Sequence, residues 1–244
     1  MTARTAAVAR ALVLAALAGH VLPAATWLPP VRRTWFPRLA GMGTPSHVAL
    51  TFDDGPDPSS TPLFLDALDA LGVRATFFLL GESSRRHRRL ATSIAERGHE
   101  LAVHGWTHDR PWLPSAREGE DLRRTAAILA DLTGTVPRWY RPPYGVLTGG
   151  RRIAAARAGL RTVLWSSWGY DWVPGATAAT VHACVARDLR SGGTVLLHDT
   201  DRSGRGCWRP TLAALPRLVT DCRARGWAVG PLAEHWSPLK EESS

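Results

Sequence analysis

Two adjacent carboxylates, Asp53 and Asp54, end the run Val48-Ala49-Leu50-Thr51-Phe52, and Gly55-Pro56 follows at once. Carboxylates side by side repel, so a chain that keeps them close needs a cation, a shared proton or open water. Downstream, His104-Gly105-Trp106-Thr107-His108 sets two imidazoles four residues apart, a spacing that brings both rings to one side of a helical turn. Neutral imidazole is the commonest metal ligand, and two of them with one carboxylate leave the fourth position of a tetrahedral site to water. Hydrolysis at such a site needs a second carboxylate free to take a proton from that water. The sequence offers both acids without saying which binds and which takes the proton, because neighbours on an extended chain point opposite ways. Arg141 before Pro142-Pro143, Asp171 in Asp171-Trp172, and His198 in Leu196-Leu197-His198-Asp199 are further candidates for a reaction centre.

The elements that must position these residues alternate in type. Val48, Leu50 and Phe52 recur with the period of a half-buried strand over residues 47–53. Pro62 opens a helix whose stripe Leu63, Phe64, Leu68 and Leu71 is closed by Gly72, and residues 73–80 form a continuous apolar strand. Ser83 or Ser84 caps a basic helix running to Arg97, and a strand follows at 100–103. Ser115-x-x-Glu118 has capping-box spacing for a helix to about Leu132. Strands are expected at 138–141, 160–165, 194–198 and 227–229, with helices at 148–158, 177–190 and 210–225. Seven alternations of strand and helix argue an α/β fold with a parallel sheet. Asp53-Asp54, His104, Arg141 and His198 then fall at C-terminal strand ends, with Asp171 after another. In a parallel barrel one mouth gathers those ends.

A chain of 244 residues suits one catalytic domain, expected over 46–232 with a tail at 233–244. The formal charge of +9 comes from arginine apart from the single Lys240, scattered among alanines rather than clustered. It is a poor footprint for nucleic acid, for which no motif is present, and suits attraction to anionic wall or membrane surfaces. Cys184, Cys207 and Cys222 have no CxxC spacing and form no zinc site. Arg4 and Arg10 precede an apolar stretch, so residues 1–28 read as a signal peptide or an N-terminal membrane anchor, placing the protein outside the cytoplasm or on the outer face of its membrane. Residues 29–45, rich in Pro and Arg, read as a linker. The serines lack a Gly-x-Ser-x-Gly setting, which leaves a serine esterase unsupported.

Five ordered segments, Thr51-Phe52-Asp53-Asp54-Gly55-Pro56, His104-x-x-x-His108, Arg141-Pro142-Pro143-Tyr144-Gly145, Asp171-Trp172 and Leu196-Leu197-His198-Asp199, resemble the motif set of the polysaccharide deacetylases with the NodB homology domain, carbohydrate esterase family 4. The resemblance implies a distorted (β/α)7 barrel and a divalent metal of the zinc type. It implies Asp53 as general base, Asp54, His104 and His108 as metal ligands, and Arg141 as the residue that orients and restrains Asp53. By the same resemblance, the Tyr144 N–H would stabilise an oxyanion and His198 would be the general acid, tuned by Asp171. Leu196 and Trp172 would line the acetyl pocket. The implied reaction is deacetylation of an N-acetylhexosamine polysaccharide such as peptidoglycan or a chitin-like chain. The alternatives are an O-acetyl polysaccharide esterase and a glycan-binding protein without turnover. Trp106, Trp112, Trp168, Trp172 and Trp208 fall in or near the expected mouth loops, where aromatic faces suit sugar rings. Two departures from the family pattern are Gly105, where a Ser or Thr is frequent, and Trp168-Gly169-Tyr170, where a further Asp is common.

Overall fold

Strand β1 (His47–Asp53) is the centre of the architecture and is buried along its whole length. This corrects the half-buried reading, and the alternation has a different meaning. Val48, Leu50 and Phe52 pack outward with Phe64, Leu65, Leu68, Leu215 and Leu218 in a core between sheet and helices. Ala49 turns inward to Phe78, Ala102, Trp139 and Val163. Thr51 and Asp53 continue the inward row towards the mouth.

The computed structural model describes residues 3–109, 117–202 and 204–236. After β1 come β2 (Thr76–Leu79), β3 (Glu100–Val103), β4 (Trp139–Tyr140), β5 (Arg161–Thr162), β6 (Ser167–Trp168), β7 (Thr194–His198) and β8 (Ala228–Gly230). Every pairing is parallel, and the path runs β5-β4-β3-β2-β1-β7-β6. β8 pairs only with the first three residues of β1. The fold is thus the expected distorted (β/α)7 barrel, although its seventh strand in the path is β6 rather than the 227–229 strand expected from the sequence. Only two residues of the expected 160–165 strand pair as β5.

The helices are α1 (Ala3–Val21), α2 (Pro29–Trp35), α3 (Thr61–Leu71), α4 (Gly81–Arg86), α5 (Arg88–Glu96), α6 (Glu118–Thr133), α7 (Gly149–Arg157), α8 (Ala178–Asp188), α9 (Trp208–Ala224) and α10 (Leu232–His235). The single basic helix expected to Arg97 breaks at His87, whose φ of −119° and ψ of 50° are not helical. Thr177 caps α8 through a capping box with Thr180. The box expected at Ser115 lies outside the described residues.

The linker reading of 29–45 is corrected. Arg32 in α2 is 1% exposed and donates through Nε to Trp165 O at 2.8 Å, while Leu164 N donates to Leu39 O at 2.7 Å. This segment spans the gap between β5 and β6, which do not pair among the described residues. The tail reading of 233–236 is corrected too, because His235 is fully buried. Its Nε2 donates to Gly41 O at 2.8 Å, so its Nδ1 is left to accept from His47 Nδ1 at 2.8 Å. Residues 237–244 lie outside the described residues.

Candidate active site

The mouth of the barrel opens into a cleft of about 520 Å³, lined by Asp53, Asp54, His104, His108, Tyr144, Trp172, Leu196 and His198 among others. Arg141 and Asp171, the remaining two residues singled out from the sequence, sit behind this lining, bonded to Asp53 and His198.

Asp54 solves the geometric problem of adjacent carboxylates. Its φ is 80°, a left-handed conformation that costs a non-glycine residue about 1–3 kcal/mol and breaks the alternation of β1 just where the strand ends. Both carboxylates therefore reach the same cleft. Asp54 Oδ1 lies 3.2 Å from His104 Nε2 and 3.2 Å from His108 Nε2. His104 Nδ1 is bonded to Arg141 O at 2.8 Å; the carbonyl only accepts, so this nitrogen carries the hydrogen and Nε2 presents its lone pair inward.

These three residues fit a metal ion. Asp54 Oδ1 is buried with no hydrogen-bond partner, an arrangement that is costly unless something else satisfies it. The candidate ligand atoms all lie within 4.8 Å of one another. Tetrahedral ligands at ~2.0–2.1 Å from zinc stand about 3.3 Å apart, close to the separations of Asp54 from each imidazole. Burial lowers His108 to about 4 and would raise Asp54, but the neighbouring imidazoles of His104, His198 and His108 outweigh that and lower it. Both shifts favour the deprotonated, ligating forms.

Asp53 faces the same space from the other side. Its Oδ1 accepts from Arg141 Nη1 at 2.7 Å, and Arg141 also donates to Thr51 Oγ1 at 2.8 Å and Leu164 O at 2.9 Å. Arg141 is fully buried, with its guanidinium 4.0 Å from the Phe78 ring centroid, so its position is fixed by the barrel interior. The second Asp53 oxygen, 3.9 Å from His104 Nε2, is left towards the cleft.

Opposite, Asp171 accepts from His198 Nδ1 at 2.8 Å and, at its other oxygen, from His198 N at 2.7 Å and Thr211 Oγ1 at 2.8 Å. Burial lowers the pKa of His198, yet the charge and hydrogen bond of Asp171 prevail and hold it well above the usual imidazole range. Trp172 packs edge-on to His198 at 5.8 Å. Near Asp54, Asp199 accepts from Thr61 Oγ1, and burial pushes its carboxyl up to about 7.

Tyr144 has φ 59° in a one-turn 3-10 segment, and its ring lies 4.3 Å from that of His108. Gly145, at φ +67°, passes so close to the Trp165 ring that a Cβ there would lie 2.3 Å from it. Arg151 braces this turn from below by donating to Pro143 O at 3.2 Å and Val146 O at 3.0 Å. The hydroxyl missing at Gly105 has a substitute in Thr125 of α6, whose Oγ1 donates to Gly105 O at 3.2 Å. Trp168 and Trp172 line the cleft, with rings 4.5 Å apart. Trp106 is instead sandwiched by Arg124 at 3.7 Å and Arg85 at 5.7 Å, Trp208 packs against Phe64, and Trp112 lies outside the described residues.

Sequence reasoning missed Trp27, Trp165 and Arg202 in the cleft lining, and Arg151 behind it. Trp27 was hidden by its place at the end of an apolar stretch, and Trp165 by its place in an expected strand. Arg202 carried no signal beyond lying four residues after His198.

The family model for polysaccharide deacetylases matches residues 40–163. A peptidoglycan-N-acetylglucosamine deacetylase of Bacillus cereus is 33% identical over 206 residues, covering 83% of this chain and 73% of that protein. A chitooligosaccharide deacetylase of Sinorhizobium fredii is 36% identical over 207 residues, covering 80% of this chain and 94% of that protein. The crystal structure of a peptidoglycan N-acetylglucosamine deacetylase in complex with 4-naphthalen-1-yl-N-oxidanyl-benzamide superposes with a TM-score of 0.74 at 31% identity, over 84% of this chain and 97% of that one.

Proposed function

The chain belongs to the polysaccharide deacetylase family, and from that premise we propose that it is a metal-dependent enzyme that removes acetyl groups from an N-acetylhexosamine polymer, peptidoglycan or chitin-like, to leave free amine and acetate. The observation that carries this reading is the pairing, across one cleft, of an Asp54-His104-His108 cluster with two separately tuned groups, Asp53 held by Arg141 and His198 held by Asp171.

In this reading Asp54, His104 and His108 hold a divalent cation, zinc by its donor set of one carboxylate and two imidazoles. The bound cation supplies carbonyl polarisation and lowers the pKa of water in its shell from ~15.7 to about 7. Asp53 takes the proton of the attacking water with its inward oxygen, while Arg141 holds the other oxygen and prevents the carboxylate from rotating onto His104. The Tyr144 N–H is the proposed donor to the oxyanion that develops on the carbonyl oxygen as water adds to the acyl carbon. His198 then gives its proton to the departing nitrogen. An amine is a poor leaving group without that proton, whereas an alkoxide asks less of an acid. The His198–Asp171 pair, which holds an acid ready for the departing nitrogen, thus favours an amide over an ester substrate. Leu196 and Trp172 enclose the acetyl methyl in an apolar wall.

The residues Ala7–Trp27 are long and apolar enough to cross a membrane, by length and composition. The first part of that stretch, residues 7–18, supports a location outside the cytoplasmic membrane, exported or anchored, where a wall glycan is accessible.

Acetate release from N-acetylated glycans is expected to stop with a chelator and return with zinc. His104→Ala and His108→Ala are each expected to abolish stoichiometric metal binding measured by elemental analysis. Activity indifferent to metal removal would refute the reading.

A further inference from the structure

Trp27 lies in the stretch that composition assigns to a leader or anchor, yet it forms one wall of the cleft. Its indole meets Trp168 edge-on at 6.4 Å and 86°. Trp168 lies against Trp172 at 4.5 Å, and Trp172 meets His198 at 5.8 Å. An aromatic row therefore leads from the imidazole of His198 outwards, and Trp27 is its outermost ring. Trp27 remains 43% exposed, so part of an indole is open to the cleft and its surroundings.

The position of Trp27 is fixed by the fold. Arg32 donates through Nη1 to Trp27 O at 2.5 Å and through Nε to Trp165 O at 2.8 Å, with its guanidinium 4.8 Å from the Trp165 ring centroid. No salt bridge to a carboxylate joins Arg32 among the described residues, so a buried cation spends its hydrogen bonds on main-chain carbonyls. Burying a guanidinium is costly, and these hydrogen bonds offset part of that cost. They tie the backbone of Trp27 to the floor of the cleft. Upstream, the end of α1 rests on α7 so closely that a Cβ on Gly149 would lie 2.4 Å from Gly19 O. Residues 19–32 are thus built onto the barrel at both ends of the 3-10 turn Leu22–Trp27.

We propose that Trp27 is a glycan-contacting residue, an aromatic platform for a sugar ring flanking the reacting N-acetylhexosamine, so that the saccharide cleft of this enzyme includes the segment before residue 29. The apolar face of a pyranose suits an indole, and three aromatic steps from His198 place this platform beyond the reacting ring. The inference rests on the deacetylase reading for the identity of the ligand.

The test uses the full chain and N-acetylated chitooligosaccharides of increasing length, with acetate release and calorimetric binding as two readouts. Trp27→Ala is expected to raise KM and the dissociation constant for long oligosaccharides by about 2- to 10-fold, with the loss in kcat/KM residing in KM and shrinking on the shortest substrate. Trp27→Phe is expected to recover most of that loss. A variant whose KM and affinity match the parent at every length overturns the proposal. So does an equal fall in kcat at every length, which marks Trp27 as a wall that only supports the fold. Binding separates this inference from the one beneath it: a parent chain that binds the oligosaccharides without releasing acetate refutes the deacetylase reading alone. If the parent chain binds none of them, both fall.

Discussion

Replacing Asp171 by Asn tests the acid side of the cleft, because the structure dictates how the new amide must turn. Two donors meet one carboxylate oxygen of Asp171, the His198 N–H at 2.7 Å and the Thr211 hydroxyl at 2.8 Å, and the backbone donor cannot rotate away. The amide oxygen of Asn must take that place, which turns the NH2 group towards His198 Nδ1. Asp171→Asn therefore removes a facing negative charge and also replaces an acceptor by a donor. Loss of the charge alone is worth about 1–3 pKa units, or about 1.5–4 kcal/mol at ~1.36 kcal/mol per unit. Burial pulls His198 down while Asp171, Asp54 and Asp53 raise it, so removing Asp171 is expected to lower its pKa. On the metal-free protein, the His198 ring proton followed by NMR across a pH titration reads this directly. In the active enzyme, the alkaline limb of the kcat/KM profile for acetate release is expected to move to lower pH. The rate on the plateau should drop by about 10²–10⁴, the usual contribution of a positioned acid. An unmoved His198 titration, or an unmoved alkaline limb with an unchanged rate, would refute the assignment of His198 as an acid tuned by Asp171.

Two further expectations concern stability. Arg141→Met leaves Asp53 buried without its cation and should lower the unfolding free energy by about 3–5 kcal/mol in denaturant titration, with partial recovery when Asp53→Asn is added. His99 and His235 are held near 4 by burial, against 6.5 in the unfolded chain, so the unfolded state binds more protons between those values. Stability should be complete above pH 6.5 and fall as pH drops towards 4, by up to about 1.36 kcal/mol per pH unit for each histidine. Chemical unfolding across that range measures the slope.

The residues most legible in the sequence were those whose chemistry has no cheap alternative. Adjacent acids at a strand end, a spaced pair of histidines and a histidine after an apolar strand all ended in one cleft, because C-terminal strand ends converge in a parallel barrel. The α/β class with a parallel sheet was legible from alternation, whereas the barrel was implied by the resemblance. The seam of that barrel was legible in neither. β6 is only two residues long and falls where Trp165 to Tyr170 gives no clean period, while β8 looked like an equal member of the barrel although it pairs only with the start of β1. Residues 29–45 misled for a related reason: proline and arginine usually mark solvent-exposed connections, and nothing local announces that Arg32 will be buried against Trp165. Trp27 was masked by composition in the same manner, since an apolar stretch reads as a leader whatever its last side chain touches.

The seam has a consequence for the behaviour of the molecule in company. A parallel sheet that stops short of closure exposes two strand edges, and an unpaired edge is a template for another chain. Here the Leu164 N–H is taken by Leu39 and the Trp165 carbonyl by Arg32, so the edge beside β5 is capped from within. Arg141 and Asp53 gain from that arrangement only indirectly. What the cap protects first is solitude: a barrel deprived of residues 29–45 would present bare backbone to its neighbours, and it would be expected to precipitate before it lost the geometry of its cleft.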